Sequence, residues 1–78
     1  MTPLKQITMN KVIELLINNA FLLEASSPDS AMFTLDDLTI NIFQEGEDTF
    51  TLIKEFENGY TEVNHEFNFE DVQDEIEY

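Results

Sequence analysis

From Ala31 onward the apolar residues of this chain recur at every second position, and that alternation limits the fold more than any other feature of the sequence. Leu38, Ile40 and Ile42 alternate with Thr39, Asn41 and Phe43. Phe50, Leu52, Lys54 and Phe56 alternate with Thr51, Ile53 and Glu55. A period of two sends successive side chains to opposite faces of a strand, and β-branched and aromatic residues suit a pleated surface. Residues 31–35 read as a short strand of their own, or as the start of a long strand bent at Asp36-Asp37.

Asn58-Gly59 sits between two such runs and signals a hairpin with a two-residue type I′ turn, in which both central residues need positive φ. That turn implies a register. Glu57 pairs with Tyr60, Phe56 with Thr61, Glu55 with Glu62, Lys54 with Val63, Leu52 with His65 and Phe50 with Phe67. Directly paired residues share a face. The inner face then carries Phe50, Leu52, Phe56, Val63 and Phe67, with Lys54 and His65 among them. The outer face carries Glu55, Glu57, Tyr60, Glu62 and Glu66. For the preceding hairpin, a three-residue loop at 45–47 pairs Ile42 with Phe50 and Ile40 with Leu52. Every large apolar side chain then lands on the inner face, as burial demands.

Before Ala31 the period is helical. Met9, Val12, Ile13, Leu16, Ala20 and Leu23 follow i, i+3, i+4, i+7 spacing, widened by Ile17 and Phe21. Thr2-Pro3 or Thr8 supplies the cap. The spacing carries this helix to about Ala25, ahead of the turn cluster Ser26-Ser27-Pro28-Asp29. A competing reading stops it at Asn18-Asn19 and makes 21–25 a strand. After Asn68, which suits an N-cap, Phe69, Val72 and Ile76 mark a narrow apolar stripe. Glu70–Asp74 and Asp71–Glu75 are like-charge i, i+4 pairs, so this segment is a docked short helix or an acidic tail. The expected fold is α+β in one small domain spanning 1–78. It comprises an N-terminal helix packed on an antiparallel three- to four-stranded sheet, and a short acidic C-terminal helix.

Charge sets the function classes. The chain has 17 acids, 3 lysines and a formal charge of -14 in 78 residues. Residues 1–35 carry Glu14, Glu24 and Asp29 against Lys5 and Lys11, whereas residues 36–78 set fourteen acids against Lys54. Direct binding to nucleic acid or to an anionic membrane needs Lys and Arg, and is disfavoured. Residues 12–23 are too short and too polar to span a bilayer. No secretory signal is legible, and a cytoplasmic location is expected. With no cysteine there is no disulfide or thiolate metal site, and no metal or cofactor is expected. His65 is the single histidine and reads as a packed structural residue. Lys54 reads as a side chain that snorkels to the sheet edge. No catalytic constellation is visible.

The expected register turns composition into a surface. Glu55, Glu57, Glu62 and Glu66 would stand on one sheet face, with Tyr60 as an aromatic anchor and Asp71, Asp74 and Glu75 continuing the field. These eight residues are the candidate partner-binding set. Small, acidic, cysteine-free chains of this kind resemble phage-encoded inhibitors of host nucleic-acid enzymes: DNA mimics, anti-restriction proteins and anti-CRISPR proteins. The resemblance rests on the Glu55/Glu57/Glu62/Glu66 face and the 70–77 acidic segment. It implies a protein acting in a bacterial host that occupies the basic surface of a nucleic-acid-binding protein; separately, a monomer is expected, or a homodimer through an exposed strand edge. Immunity proteins and antitoxins that neutralise basic nucleases form an alternative class. A structural module whose acids only solubilise is a third reading.

Overall fold

The computed structural model describes residues 9–77, so the expected caps at Thr2-Pro3 and Thr8 lie outside the described residues. The order of elements is α1 (Met9–Asn18), β1 (Leu22–Ser27), β2 (Ser30–Leu35), β3 (Leu38–Gly46), β4 (Thr49–Phe56), β5 (Thr61–Phe67) and α2 (Phe69–Glu77). The strands form one antiparallel sheet in chain order, β1-β2-β3-β4-β5, and the fold is α+β.

The sheet has five strands rather than three or four because the first helix is short. It ends at Asn18, not near Ala25, and the polypeptide supplies three devices to stop it. Phe21 N–H donates to Leu16 C=O and Ala20 N–H to Ile17 C=O, each at 3.0 Å, the paired bonds of a Schellman motif. Ala20 takes the left-handed φ of 73° that this motif needs. The Asn19 side-chain amide donates to Leu15 C=O at 2.8 Å and satisfies a further helix-end carbonyl. Phe21 and Leu16 are both buried, which supplies the hydrophobic contact that accompanies such an end. The residues that follow are thereby free to pair with β2.

One face of the sheet is covered by both helices. Val12 and Leu16 of α1, Phe33, Ile40, Ile42, Phe50 and Leu52 of the sheet, and Val72 of α2 are fully buried together. Each such side chain contributes roughly 1.5–3 kcal/mol relative to exposure. Ile17, expected to widen the buried stripe, is 49% exposed, and Leu15 is buried instead.

The inner face has the expected apolar set apart from Val63, but the registers differ. In the β3–β4 hairpin Ile42 lies opposite Leu52, Ile40 opposite Lys54 and Leu38 opposite Phe56. The turn is Glu47-Asp48, and Glu45 is the extra residue of a bulge between Gln44 and Gly46. This is a shift of two residues from the expected pairing, so every side chain keeps its face.

The β4–β5 hairpin shifts by one, which does change faces. Only Gly59 has positive φ, at 91°; Asn58 does not. Gly59 N–H donates to Phe56 C=O, and Phe56 N–H to Tyr60 C=O, both at 2.9 Å. The loop therefore has three residues, a type I turn closed by glycine in the left-handed region, rather than the type I′ turn. Lys54 now faces Glu62, Ile53 faces Val63 and Glu55 faces Thr61. The expected like-charge pair Glu55–Glu62 is replaced by an opposite-charge pair. Val63 and His65 move to the outer face, where His65 Nδ1 lies 3.5 Å from Thr51 Oγ1. Glu62 and Asn64 move to the inner face. A second bulge at His65–Glu66, with Glu66 at φ 57°, restores the expected pairing of Phe50 with Phe67.

Candidate protein-interaction surface

The strand pairings arrange the outer face in cross-strand rows. Ala25, Met32, Asn41, Ile53 and Val63 form a row across all five strands. Leu22, Thr34, Thr39, Glu55 and Thr61 form the next. Glu55 is the one carboxylate in these two rows, and Glu24 joins them from the β1 bulge through a 2.7 Å hydrogen bond from the Thr34 hydroxyl. The expected lattice of Glu55, Glu57, Glu62 and Glu66 on this face is not formed. Glu57 lies in the turn, Glu62 points to the helix side and Glu66 sits in the bulge. Tyr60 is 59% exposed and leans on Phe56, ring centroids 5.6 Å apart, at the end of the sheet.

The acids gather instead along α2 and the strand that leads into it. Helix α2 begins with a reciprocal cap. Asp71 N–H donates to Asn68 Oδ1 at 2.8 Å, and Asn68 N–H donates to Asp71 Oδ2 at 3.1 Å. This is the capping-box arrangement with Asn and Asp in place of Ser and Glu. Asp48, from the β3–β4 turn, accepts the Phe69 N–H at 2.9 Å. These acids satisfy orphan donors and meet the positive end of the helix dipole. Asn68 is thus the cap that the spacing suggests.

The helix is held to the body by two lysines, the only ones among the described residues. Lys54 Nζ lies 2.8 Å from Glu75 Oε1 and 3.7 Å from Glu62 Oε1, its side chain 16% exposed. The side chain turns inward to α2 rather than out to the sheet edge. Lys11 Nζ lies 5.9 Å from the centre of the Phe69 ring and links α1 to α2 by a cation–π contact. Under the helix, Val72 is fully buried, with Phe69 and Ile76 packed against the core.

These contacts divide the carboxylates of α2. Asp71 and Glu75 are engaged in the cap and the ion pair, which removes one of the two like-charge i, i+4 pairs as a source of repulsion. Glu70, Asp74 and Glu77 remain, all exposed, at i, i+4 and i+7. Among the described residues their one side-chain partner is the Gln73 amide, which donates to Glu77 Oε2 at 3.4 Å. Glu66 is exposed just before the helix, and Glu45 and Glu47 are exposed at the adjoining turn. Of the eight candidate residues, Asp71, Asp74 and Glu75 lie on α2, Glu62 meets Lys54 on the helix side, and Glu66 precedes the helix in the chain. Glu55, Glu57 and Tyr60 do not join them. Glu70 and Glu77 stand outside the set of eight, although they bound the 70–77 acidic segment and their helical spacing with Asp74 is readable in the sequence.

Among the described residues no cluster of three or more metal-binding side chains is formed, and no helix is long and apolar enough to cross a membrane. No protein-family model, curated protein or solved structure matches this chain.

Proposed function

We propose that this chain is an acidic protein-binding inhibitor that occupies the basic, nucleic-acid-binding surface of a partner protein, in the manner of phage-encoded nucleic-acid mimics. The observation that supports this reading best is the ridge of Glu70, Asp74 and Glu77 on α2. These carboxylates have no cation partner among the described residues. A rise of 1.5 Å per residue spaces them by roughly 6 and 4.5 Å along the helix. Phosphates recur at about 3.4 Å per strand along duplex DNA, so the match is one of charge sign in a continuous row, at lower density, rather than a geometric copy. Opposed fields of this kind accelerate encounter, and they lose strength as salt rises.

The test is affinity purification of the intact chain from host lysate, followed by competition with duplex DNA for whatever basic protein is captured. Capture that DNA displaces, and that the variant Glu70→Gln/Asp74→Asn/Glu77→Gln weakens at least about tenfold, about 1.4 kcal/mol, supports the reading. Capture of no nucleic-acid-binding protein, or capture indifferent to competing DNA, rejects it.

A further inference from the structure

The helix-side face of the sheet runs on past both helices at one end. There Leu35, Leu38 and Phe56 line an open recess of about 520 Å3, and Asp36, Asp37 and Glu57 stand around it. Leu35 pairs with Leu38, and Leu38 with Phe56, so the three form one cross-strand apolar row. Phe56 is 37% exposed, and Tyr60 stands beside it. No ion pair engages the three carboxylates among the described residues.

Both helices point their negative ends toward this end of the sheet. Helix α1 finishes a few residues before Leu22, which pairs with Thr34, the neighbour of Leu35. Helix α2 starts beside Asp48 at the far end and reaches Lys54 through Glu75, two residues short of Phe56. Neither helix carries a basic residue in its last turn. A helix C-terminus presents about half a negative charge. The recess thus combines an apolar, partly aromatic floor with the negative end of α2 and three carboxylates that no ion pair engages among the described residues.

We propose that this recess is a socket for an arginine side chain of a protein partner. The aliphatic stem would lie on Leu35 and Leu38, and the guanidinium against the Phe56 and Tyr60 rings within reach of Asp36, Asp37 and Glu57. A purely apolar occupant would strip water from three carboxylates and give nothing back. A bare metal ion has no use for an aromatic floor. A lysine ammonium is more strongly hydrated than a guanidinium and cannot stack as a planar group. The proposal deepens the reading of a basic partner and rests on it for the identity of the arginine's owner, but the socket can be probed alone.

The probe is N-acetyl-arginine amide, titrated into the full chain and followed by methyl and aromatic NMR, with the uncharged N-acetyl-citrulline amide as control. Saturable shifts confined to Leu35, Leu38, Phe56 and Tyr60, at least about tenfold weaker with citrulline, support the socket. The variant Asp36→Asn/Asp37→Asn/Glu57→Gln should lose the arginine response by a similar factor. Asparagine tolerates the positive φ of 54° at position 36, and the citrulline control needs no variant at all. Equal response to both amides, or equal shifts along α2, would reduce the effect to general contact or counter-ion association and overturn the proposal. Shifts that follow protein concentration without any probe would give the recess to a second copy, and also overturn it. Failure here leaves DNA competition at the α2 ridge intact. Failure of that competition leaves the titration readable.

Discussion

The two helices cover the same face of the sheet, yet they are held there by different forces. Helix α1 buries four side chains, Met9, Val12, Leu15 and Leu16, and ends in a hydrogen-bonded stop that needs no charge. Helix α2 fully buries only Val72. Beside the partly buried Phe69 and Ile76, its attachment is polar: Asp48 at its first amide, Glu75 on Lys54, and Phe69 under Lys11, with the Asn68–Asp71 cap closing its start. A nearly neutral helix can rely on burial, which salt and pH leave alone. A helix that presents carboxylates to solvent takes its cation contacts, Lys54 and Lys11, from neighbouring elements on the side facing the protein. The consequence is that stability and charge display are separated between two elements of one layer.

Breaking α1 should have the largest effect. Leu16→Ala removes a fully buried side chain and should cost about 3 kcal/mol, against about 2 kcal/mol for Val72→Ala. At roughly 4–8 °C per kcal/mol for a domain of this size, thermal melts separate the two. A Val72→Ala loss equal to or larger than that of Leu16→Ala would reverse the comparison.

Lys54→Ala comes next, with an expected loss of about 1–2 kcal/mol. That lies between exposed pairs, which contribute little, and buried pairs, whose disruption leaves an unpaired charge. Hydrogen exchange should show the loss concentrated in α2 and β5, with α1 amides changing only as the global stability does. Uniform exchange across both helices would mean that the ion pair does not tether α2 selectively.

Ala20→Gly should stabilise the chain by about 1 kcal/mol, because glycine takes the left-handed φ of 73° without the Cβ clash that alanine meets there. Denaturant titration checks this, and a destabilised variant would refute the helix stop as described. The smallest effect is that of salt. Moderate sodium chloride should raise the melting temperature by a few degrees, because screening relieves self-repulsion at a charge of -14. The rise should be steeper in Lys54→Ala, and a fall in both proteins would show that attractive pairs dominate.

The inner face was legible because burial writes it into parity. Ile40, Ile42, Phe50 and Leu52 stay together whether the β3–β4 pairing moves by two residues or not. The position of Asn58-Gly59 was legible too, but its turn class was not. Asn-Gly serves both a type I′ turn, with two positive φ angles, and a type I turn closed by glycine, with one. Local propensity does not separate them. Cross-strand electrostatics does, since the three-residue loop sets Glu62 against Lys54 rather than against Glu55, and the bulge at His65–Glu66 then recovers Phe67 for the core. The accommodation leaves the Asn64 side-chain nitrogen buried without a hydrogen-bond partner. One residue of slippage decides which face every acid of β5 occupies, so the candidate surface moved while the composition stayed the same. The end of α1 was legible only as the competing reading that stops at Asn18-Asn19, for a related reason. Helical apolar spacing continues through Ala20 and Leu23, and the signal that overrides it is the capping capacity of Asn19 together with the tertiary burial of Phe21.

Each strand of this sheet pairs with the strand before it in sequence, and each connection within it is a short turn. Such a topology closes no long loop on the way to the native state, so its search is short and its folding should be fast for a β-rich chain. The order of events follows from the same arrangement. Helix α2 has no docking platform until β4 and β5 are paired and Lys54 is in place. The most acidic element is therefore expected to join last, onto a scaffold already assembled, so that its repulsion bears on the final docking step rather than on the collapse that precedes it.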